Sequence, residues 1–427
     1  MAALPVLVLA LVWTMAARTV FSPLQQFAGG ELLLGDLQLS LVQGLAVSLP
    51  VAALSIPVGH LVDRTHRVRL LAGLLAVSAL GMAATALADS FTALFVARML
   101  AGTGATCALP VAISIAADLS APERRGKTLL GLSVGNMAGA AVAFALAGAL
   151  LTWHTAGAGL AHWLPLSPWR LIHADFAVAG LALVLGVLCL REPARRETQA
   201  KVAPPLRQSL AALWARRAYL LPLFVGQVTV VMADTAAGIW IAPVITRRYG
   251  QVPEQFAGWS GLVILTGGFV GSVLGALTAD FGQSRRWRGG ILGGAVVAAG
   301  LSIPLAAYPL MPSATSFAWV LGLFLACGSI TGLVTATAIA VRVPNELRGV
   351  CLGGFVVLGA LIGFGVAPTL VSLVGSALGG PAQLPLALAL VGVITSFVAF
   401  AGFLLAARHD GAMSAPSSRT SNLSDRS

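Results

Sequence analysis

The chain has 427 residues, a mean hydropathy of +0.90, 58% hydrophobic residues and only 10% charged ones. Soluble proteins carry about 25% charged residues, so a water-facing surface made from this composition would be mostly apolar and would aggregate. A soluble globular fold is excluded, and the formal net charge of +11 has to be read by where the basic residues fall.

Crossing a bilayer takes about 20 apolar residues. Apolar windows fall at 5–27, 40–62, 68–88, 92–117, 128–152 and 170–190, then at 218–245, 256–280, 289–309, 314–341, 350–376 and 384–407. This predicts an all-α membrane protein of twelve transmembrane helices in two six-helix pseudo-repeats. The expected units are an N-terminal bundle (1–190), a cytoplasmic linker (191–217), a C-terminal bundle (218–407) and a disordered cytoplasmic tail (408–427). The apolar start has no basic n-region and reads as a retained helix rather than a signal peptide.

Basic residues set the orientation. With the amino terminus inside, the inner connections, linker and tail hold 21 of the 26 Lys and Arg. The outer loops hold Arg170, Arg247 and Arg248, and Arg18 and Arg98 stay inside helices. Both termini are therefore expected in the cytoplasm of an inner-membrane, multi-pass protein. The charge is a topology signal and a membrane-surface contact, and no nucleic-acid partner is expected.

The halves echo each other. Pro122-Glu-Arg-Arg-Gly126 is matched by Pro344-Asn-Glu-Leu-Arg-Gly349, and the run Gly59-His-Leu-Val-Asp63-Arg64-Thr-His-Arg67-Val-Arg69 by Ala276-Leu-Thr-Ala-Asp280-Phe-Gly-Gln-Ser-Arg285-Arg286. A parallel repeat suits two bundles rocking about a central site.

Gly59-His-Leu-Val-Asp63-Arg64-Thr-His-Arg67-Val-Arg69 resembles the loop motif of the major facilitator superfamily, and Arg98-Met-Leu-Ala-Gly102-Thr-Gly104 resembles its fourth-helix motif. Within it, the chain is most similar to the Spinster-like branch, associated with lysolipid and sphingolipid transport. That similarity rests on Leu39–Gly44, Ile115–Asp118 through Arg125-Gly126, Pro168-Trp169-Arg170, Arg191-Glu-Pro193 and Val366-Ala-Pro368-Thr.

The resemblance implies a cytoplasmic gate in which Gly59, Asp63, Arg64 and Arg67 work with Asp118, and Asp280 and Arg285 do so in the second half. Plain positive-inside topology with cations at helix C-termini is the alternative. Gly131, Gly135 and Gly139 in helix five, and Gly267, Gly271 and Gly275 in helix eight, recur every four residues. In the superfamily these helices face each other across the halves, so the rows are expected to form a sliding face, with ordinary packing as the alternative.

A charge at the centre of a membrane helix costs about 3 kcal/mol or more, so Arg18, Arg98 and Asp234 stand out. From the rise per residue they lie roughly 13, 9 and 16 Å below their outer helix ends. Helices one, four and seven line the cavity in the superfamily. The three are expected to form the substrate and coupling site, with a static packing pair as the alternative. Two arginines against one aspartate favour an anionic or zwitterionic solute. The branch usually has an acidic residue before the helix-one arginine and a Glu after the helix-four glycines; here Ala17 and Ala105 stand there. Asp234 is then the remaining candidate to carry a proton.

Gln43, Asn136, His173, Asp175, Gln227 and Asn345 are polar wall residues expected to serve helix hydrogen bonds, and Trp13 and Trp240 are candidate lining residues. Cys107, Cys189, Cys327 and Cys351 lie singly in apolar stretches and read as packing residues. With no nucleophile paired to a base, no metal spacing and no phosphate loop, an enzyme is not expected, nor is any cofactor or metal. The linker is too short for a sensor's output domain. The expected protein is a monomeric secondary transporter of a small amphipathic or anionic solute, working by rocker-switch alternating access. Its partners are the solute, the bilayer and, as candidate coupling ion, the proton. A multidrug or metabolite efflux antiporter and an uncoupled uniporter are the alternatives.

Overall fold

The computed structural model describes residues 3–120, 125–194, 206–284 and 290–413. Among them, twelve helices are long and apolar enough to cross a membrane. Helices α1 (Ala3–Thr19) and α2 (Phe21–Glu31) form the first span, and α3 (Asp36–Gln43) and α4 (Leu45–Arg64) the second. The third to sixth are α5 (Arg67–Leu87), α6 (Phe91–Leu119), α7 (Arg125–Thr155) and α8 (Pro168–Leu188). After a short helix α9 (Leu206–Trp214) come α10 (Arg217–Tyr249), α11 (Pro253–Ser284), α12 (Gly293–Leu305) and α13 (Ala314–Arg342). The eleventh span joins α14 (Asn345–Leu358), a π-helical stretch (Gly359–Val366) and α15 (Ala367–Ala377), and α16 (Leu384–Met413) is the twelfth.

One expectation changes at an edge: α16 runs to Met413, into the segment expected to be disordered. Within the linker, helix α9 forms. Residues 195–205 and 414–427 lie outside the described residues.

Helices dominate because hydrocarbon offers backbone groups no partner, so each span must satisfy its own. Large apolar side chains such as Leu181, Leu185 and Leu323 point outward, as lipid requires. Breaks fall where the backbone chemistry demands them. Pro23 has no N–H for the carbonyl of Thr19, and the first span breaks between α1 and α2 at Val20. The second breaks at Gly44, where an added Cβ would lie 2.6 Å from the Phe364 carbonyl oxygen of the other half.

Buried apolar residues gather in three clusters. One is built wholly from spans one to six. Two belong to spans seven to twelve, with Phe144 of α7 reaching across to join one of them.

The glycine rows do not face each other as expected. Gly135 and Gly139 close on Val8, Val12 and Met15 of α1, while Gly131 faces open space. Gly267, Gly271 and Gly275 close on Gly322, Ala326 and Ile330 of α13. Each row therefore serves a neighbour in its own half, where backbone-to-backbone approach maximises packing between fixed helices. Helices α7 and α11 do meet, but through Gly148 against Ala257, Gly261 against the Ala141 carbonyl and Gly268 against Met137.

Candidate functional site

Arg18 on α1 and Asp234 on α10 line one cavity of ≈ 370 Å³ between the halves. Its walls are mainly apolar, with Met15, Phe144, Leu321 and Leu325, and Thr19, Ser22, Gln43 and Thr235 add polar groups. The Arg18 guanidinium carbon lies 4.1 Å from the centroid of the Phe364 ring, which projects from the π-helical stretch of span eleven. An aromatic face attracts a cation without neutralising it, so Arg18 keeps its full charge for a ligand. Asp234 rests against Gly328 of α13, where any Cβ would collide with the carboxylate. Among the described residues it makes no hydrogen bond or ion pair, with Arg18 or otherwise.

Arg98 is not in the cavity wall. It is 1% exposed and sits one layer behind, at the break between α1 and α2. There it donates to the carbonyls of Ala17 at 3.3 Å and Arg18 at 2.5 Å, with Phe21's ring 5.2 Å away. Helix rotation separates the three charges that share a depth. Two face the cavity, and the third holds the backbone of one of them.

Cross-half hydrogen bonds gather at the end opposite the basic loops. Ser22 donates to the Gly238 carbonyl at 2.7 Å and Gln25 to the Ile239 carbonyl at 2.6 Å, and Gln43, of the same half as Gln25, holds it by donating to its side chain at 2.7 Å. Beyond this roof, Arg247 of α10 grips both carboxylate oxygens of Asp36 at 2.6 and 2.7 Å and reaches Gln26 and the Pro381 carbonyl. The runs Leu39–Gly44 and Val366–Thr369 meet here, Ser40 donating to Thr369 at 3.4 Å. These bonds close the cavity toward the end opposite the basic loops.

At that end, Arg67 is 2% exposed and saturated. It pairs with Asp118, with Glu192 at 2.8 Å, and with the Pro193 carbonyl at 2.9 Å. Glu192 also accepts from the Val68 N–H at 2.9 Å. Burial opposes the Glu192 charge, but the Val68 N–H and Arg67 outweigh it and hold its carboxyl below the usual range. This network ties α5, α6 and the end of α8, all in the first half. Gly59, Arg64 and Asp280 are exposed. The Asp63 side chain and Arg285 lie outside the described residues.

Of the wall residues, Gln43 alone lines the cavity. Gln227 accepts from Thr335 at 3.0 Å, and Asp175 meets His154 at 2.6 Å. His173 is buried against the Trp169 carbonyl, Asn136 lies outside the cavity lining, and the Asn345 side chain lies outside the described residues. Trp13 and Trp240 are buried with their indoles on the carbonyls of Phe176 and Pro368. Among the described cysteines Cys189 is exposed and the other three are buried. Trp169 and Arg170 both bind Glu31, at 2.6 and 2.7 Å, fixing the end of α2. Sequence reasoning missed Phe364, Gly328 and the Asp36–Arg247 clasp. Only Glu192 carried a signal, inside the Arg191-Glu-Pro193 run.

Twelve spans around a central charged cavity define a transporter fold, not an enzyme. The Major Facilitator Superfamily profile matches residues 7–368, and the chain belongs to that superfamily. The 3-(3-hydroxy-phenyl)propionate transporter of Escherichia coli (strain K12) is 33% identical over 208 residues, which is 47% of this chain and 46% of that protein. The match thus spans less than half of that relative's length. Among solved structures, a bacterial homolog to the human lysosomal transporter Spinster, inward-facing and unoccupied, superposes with a TM-score of 0.80. That alignment covers 96% of this chain and 97% of the other at 22% identity. The nucleoside transporter NupG superposes at 0.70 over 95% and 99%, with 14% identity.

Proposed function

We propose that this protein is a secondary active transporter that carries a small amphipathic organic anion across the inner membrane by rocking its two six-helix halves about the Arg18–Asp234 cavity. The basic end faces the cytoplasm, where positively charged loops are retained. The observation that carries the reading is one apolar cavity holding an arginine and an aspartate that do not neutralise each other. A carboxylate or phosphate ester would replace the Phe364 face on Arg18, and the apolar walls would take the body of the solute. The volume accommodates a small organic acid or the head of a lysolipid, and an organic acid is in keeping with the name of one relative, a 3-(3-hydroxy-phenyl)propionate transporter.

Asp234 is the proposed coupling group, since Ala17 and Ala105 stand where the branch has acids. The run Gly59–Arg69 with Asp118, and Asp280 with Arg285, are the proposed cytoplasmic gate. Asp63→Arg is expected to abolish transport while sparing insertion.

The test is flux in proteoliposomes under an imposed pH gradient, with aryl carboxylates and lysophospholipids as solutes, comparing wild type with Asp234→Asn. Gradient-driven flux of an anion that collapses in the variant is the expected result. Flux indifferent to both would make the protein a uniporter or exchanger, and a preference for cations would overturn the anion assignment.

A further inference from the structure

Helix α9 has two unlike surfaces. Ser209 is fully buried, and Ala212 and Leu213 are partly buried, so this side lies on the protein, where α9 packs against α14 and α10. Leu210 and Trp214, one turn apart, are 53% and 61% exposed. Arg207 and Arg217 are exposed beside them. The helix is only nine residues long, well below the length at which an isolated helix is stable in water, and none of the described residues covers its outward face.

The charges around that face are one-sided. Between Arg191 and Arg217 the chain has seven Arg and Lys against two Glu, and Glu192 is already engaged by Arg67. Arg216 and Arg217 each place one guanidinium nitrogen on a carbonyl of α9, at Ala212 and Trp214. Among the described residues no carboxylate pairs with Arg207, Arg216 or Arg217. The Arg217 guanidinium lies 5.7 Å from the Trp214 ring, so cation and indole stand at one level. An apolar strip with an indole at its edge and cations flanking it matches the boundary between acyl chains and anionic headgroups.

We propose that α9 is a docking helix for anionic phospholipid. Leu210 and Trp214 enter the acyl boundary while Arg207 and Arg217 bind headgroup phosphates, and this contact holds the linker against α14 at the start of span eleven. The occupant is lipid rather than a protein partner, because the face is small, sits at a membrane span's end and is matched by charge to a negatively charged leaflet.

The experiment is hydrogen–deuterium exchange of the full chain in single-copy nanodiscs, comparing phosphatidylcholine with phosphatidylcholine–phosphatidylglycerol. Amides of residues 206–214 should exchange about tenfold more slowly in the anionic discs, an effect that fades as salt is raised. Arg207→Gln with Arg217→Gln should abolish the slowing while exchange of the spans is unchanged, and Trp214→Ala alone should reduce it. Equal exchange in the two lipids, or slowing that survives loss of both arginines, would overturn the proposal. So would protection in neutral lipid that appears only in discs loaded with two copies, run as a parallel sample, which would give the face to a second chain.

Discussion

The carboxylate of Asp234 occupies space that a Cβ on Gly328 would fill. This makes the glycine part of the site although it carries no chemistry. Gly328→Ala is expected to push Asp234 from its niche and lower transport by about tenfold, the effect of roughly 1.4 kcal/mol. Expression and monodispersity should be retained, since α13 itself gains a better helix former. Wild-type flux in that variant would detach Asp234 from the transport step. Arg18 offers a sharper contrast. Its guanidinium presents a planar fork that an ammonium cannot reproduce, so Arg18→Lys should weaken anion affinity about tenfold and Arg18→Gln more. Either loss is measurable as a rise in the half-saturating solute concentration.

Among the elements, the glycine rows act as fixed packing seams. Gly139 lies under the Val12 carbonyl and the Met15 side chain of α1. Gly139→Leu is therefore expected to destabilise the first half, seen as a lower melting temperature in detergent, instead of trapping one transport state. A variant that melts normally but is locked would restore the sliding role. The network around Arg67 has a defined pH response. Glu192 is held below its ordinary value of 4.5, so its contribution to stability is present above that range and lost as pH falls through the lowered folded value. Thermal stability should stay flat from neutral to mildly acidic pH and fall below about pH 4. Glu192→Gln should lower stability at pH 7 and remove part of that acid-dependent loss.

For the whole molecule, the two ends are built differently. Side-chain hydrogen bonds and one two-pronged ion pair join the halves at the Asp36–Arg247 end, while the Arg67 network at the other end lies within one half. Opening toward the Asp36–Arg247 end must break that clasp, so Arg247→Asp is expected to favour outward opening. Asp36→Arg combined with Arg247→Asp should restore wild-type cycling; spin labels on α3 and α10 would report both.

How far the sequence foretold this differs by scale. All twelve spans were legible, because a bilayer demands a long apolar run and any charge inside one is conspicuous. The same rule picked out Arg18 and Asp234. Depth along a helix does not give rotation about its axis, however, so Arg98 looked equivalent to Arg18 although it points behind the cavity. Glycine spacing likewise marks a close approach without naming the neighbour. The Asp36–Arg247 clasp was hidden because charges in loops are ordinary, and only the packing of distant spans brings these two together.

The clasp also lies where the surrounding medium reaches it, with side chains 25% and 14% exposed. Dissolved salt weakens attraction between such charges, over a screening distance of about 8 Å at physiological ionic strength. The roof beneath it, made of neutral hydrogen bonds, is indifferent to salt. With this end on the outer face, as proposed, the salinity outside the cell becomes a setting on how readily the carrier opens outward, while the cytoplasmic half of the cycle runs at its own pace.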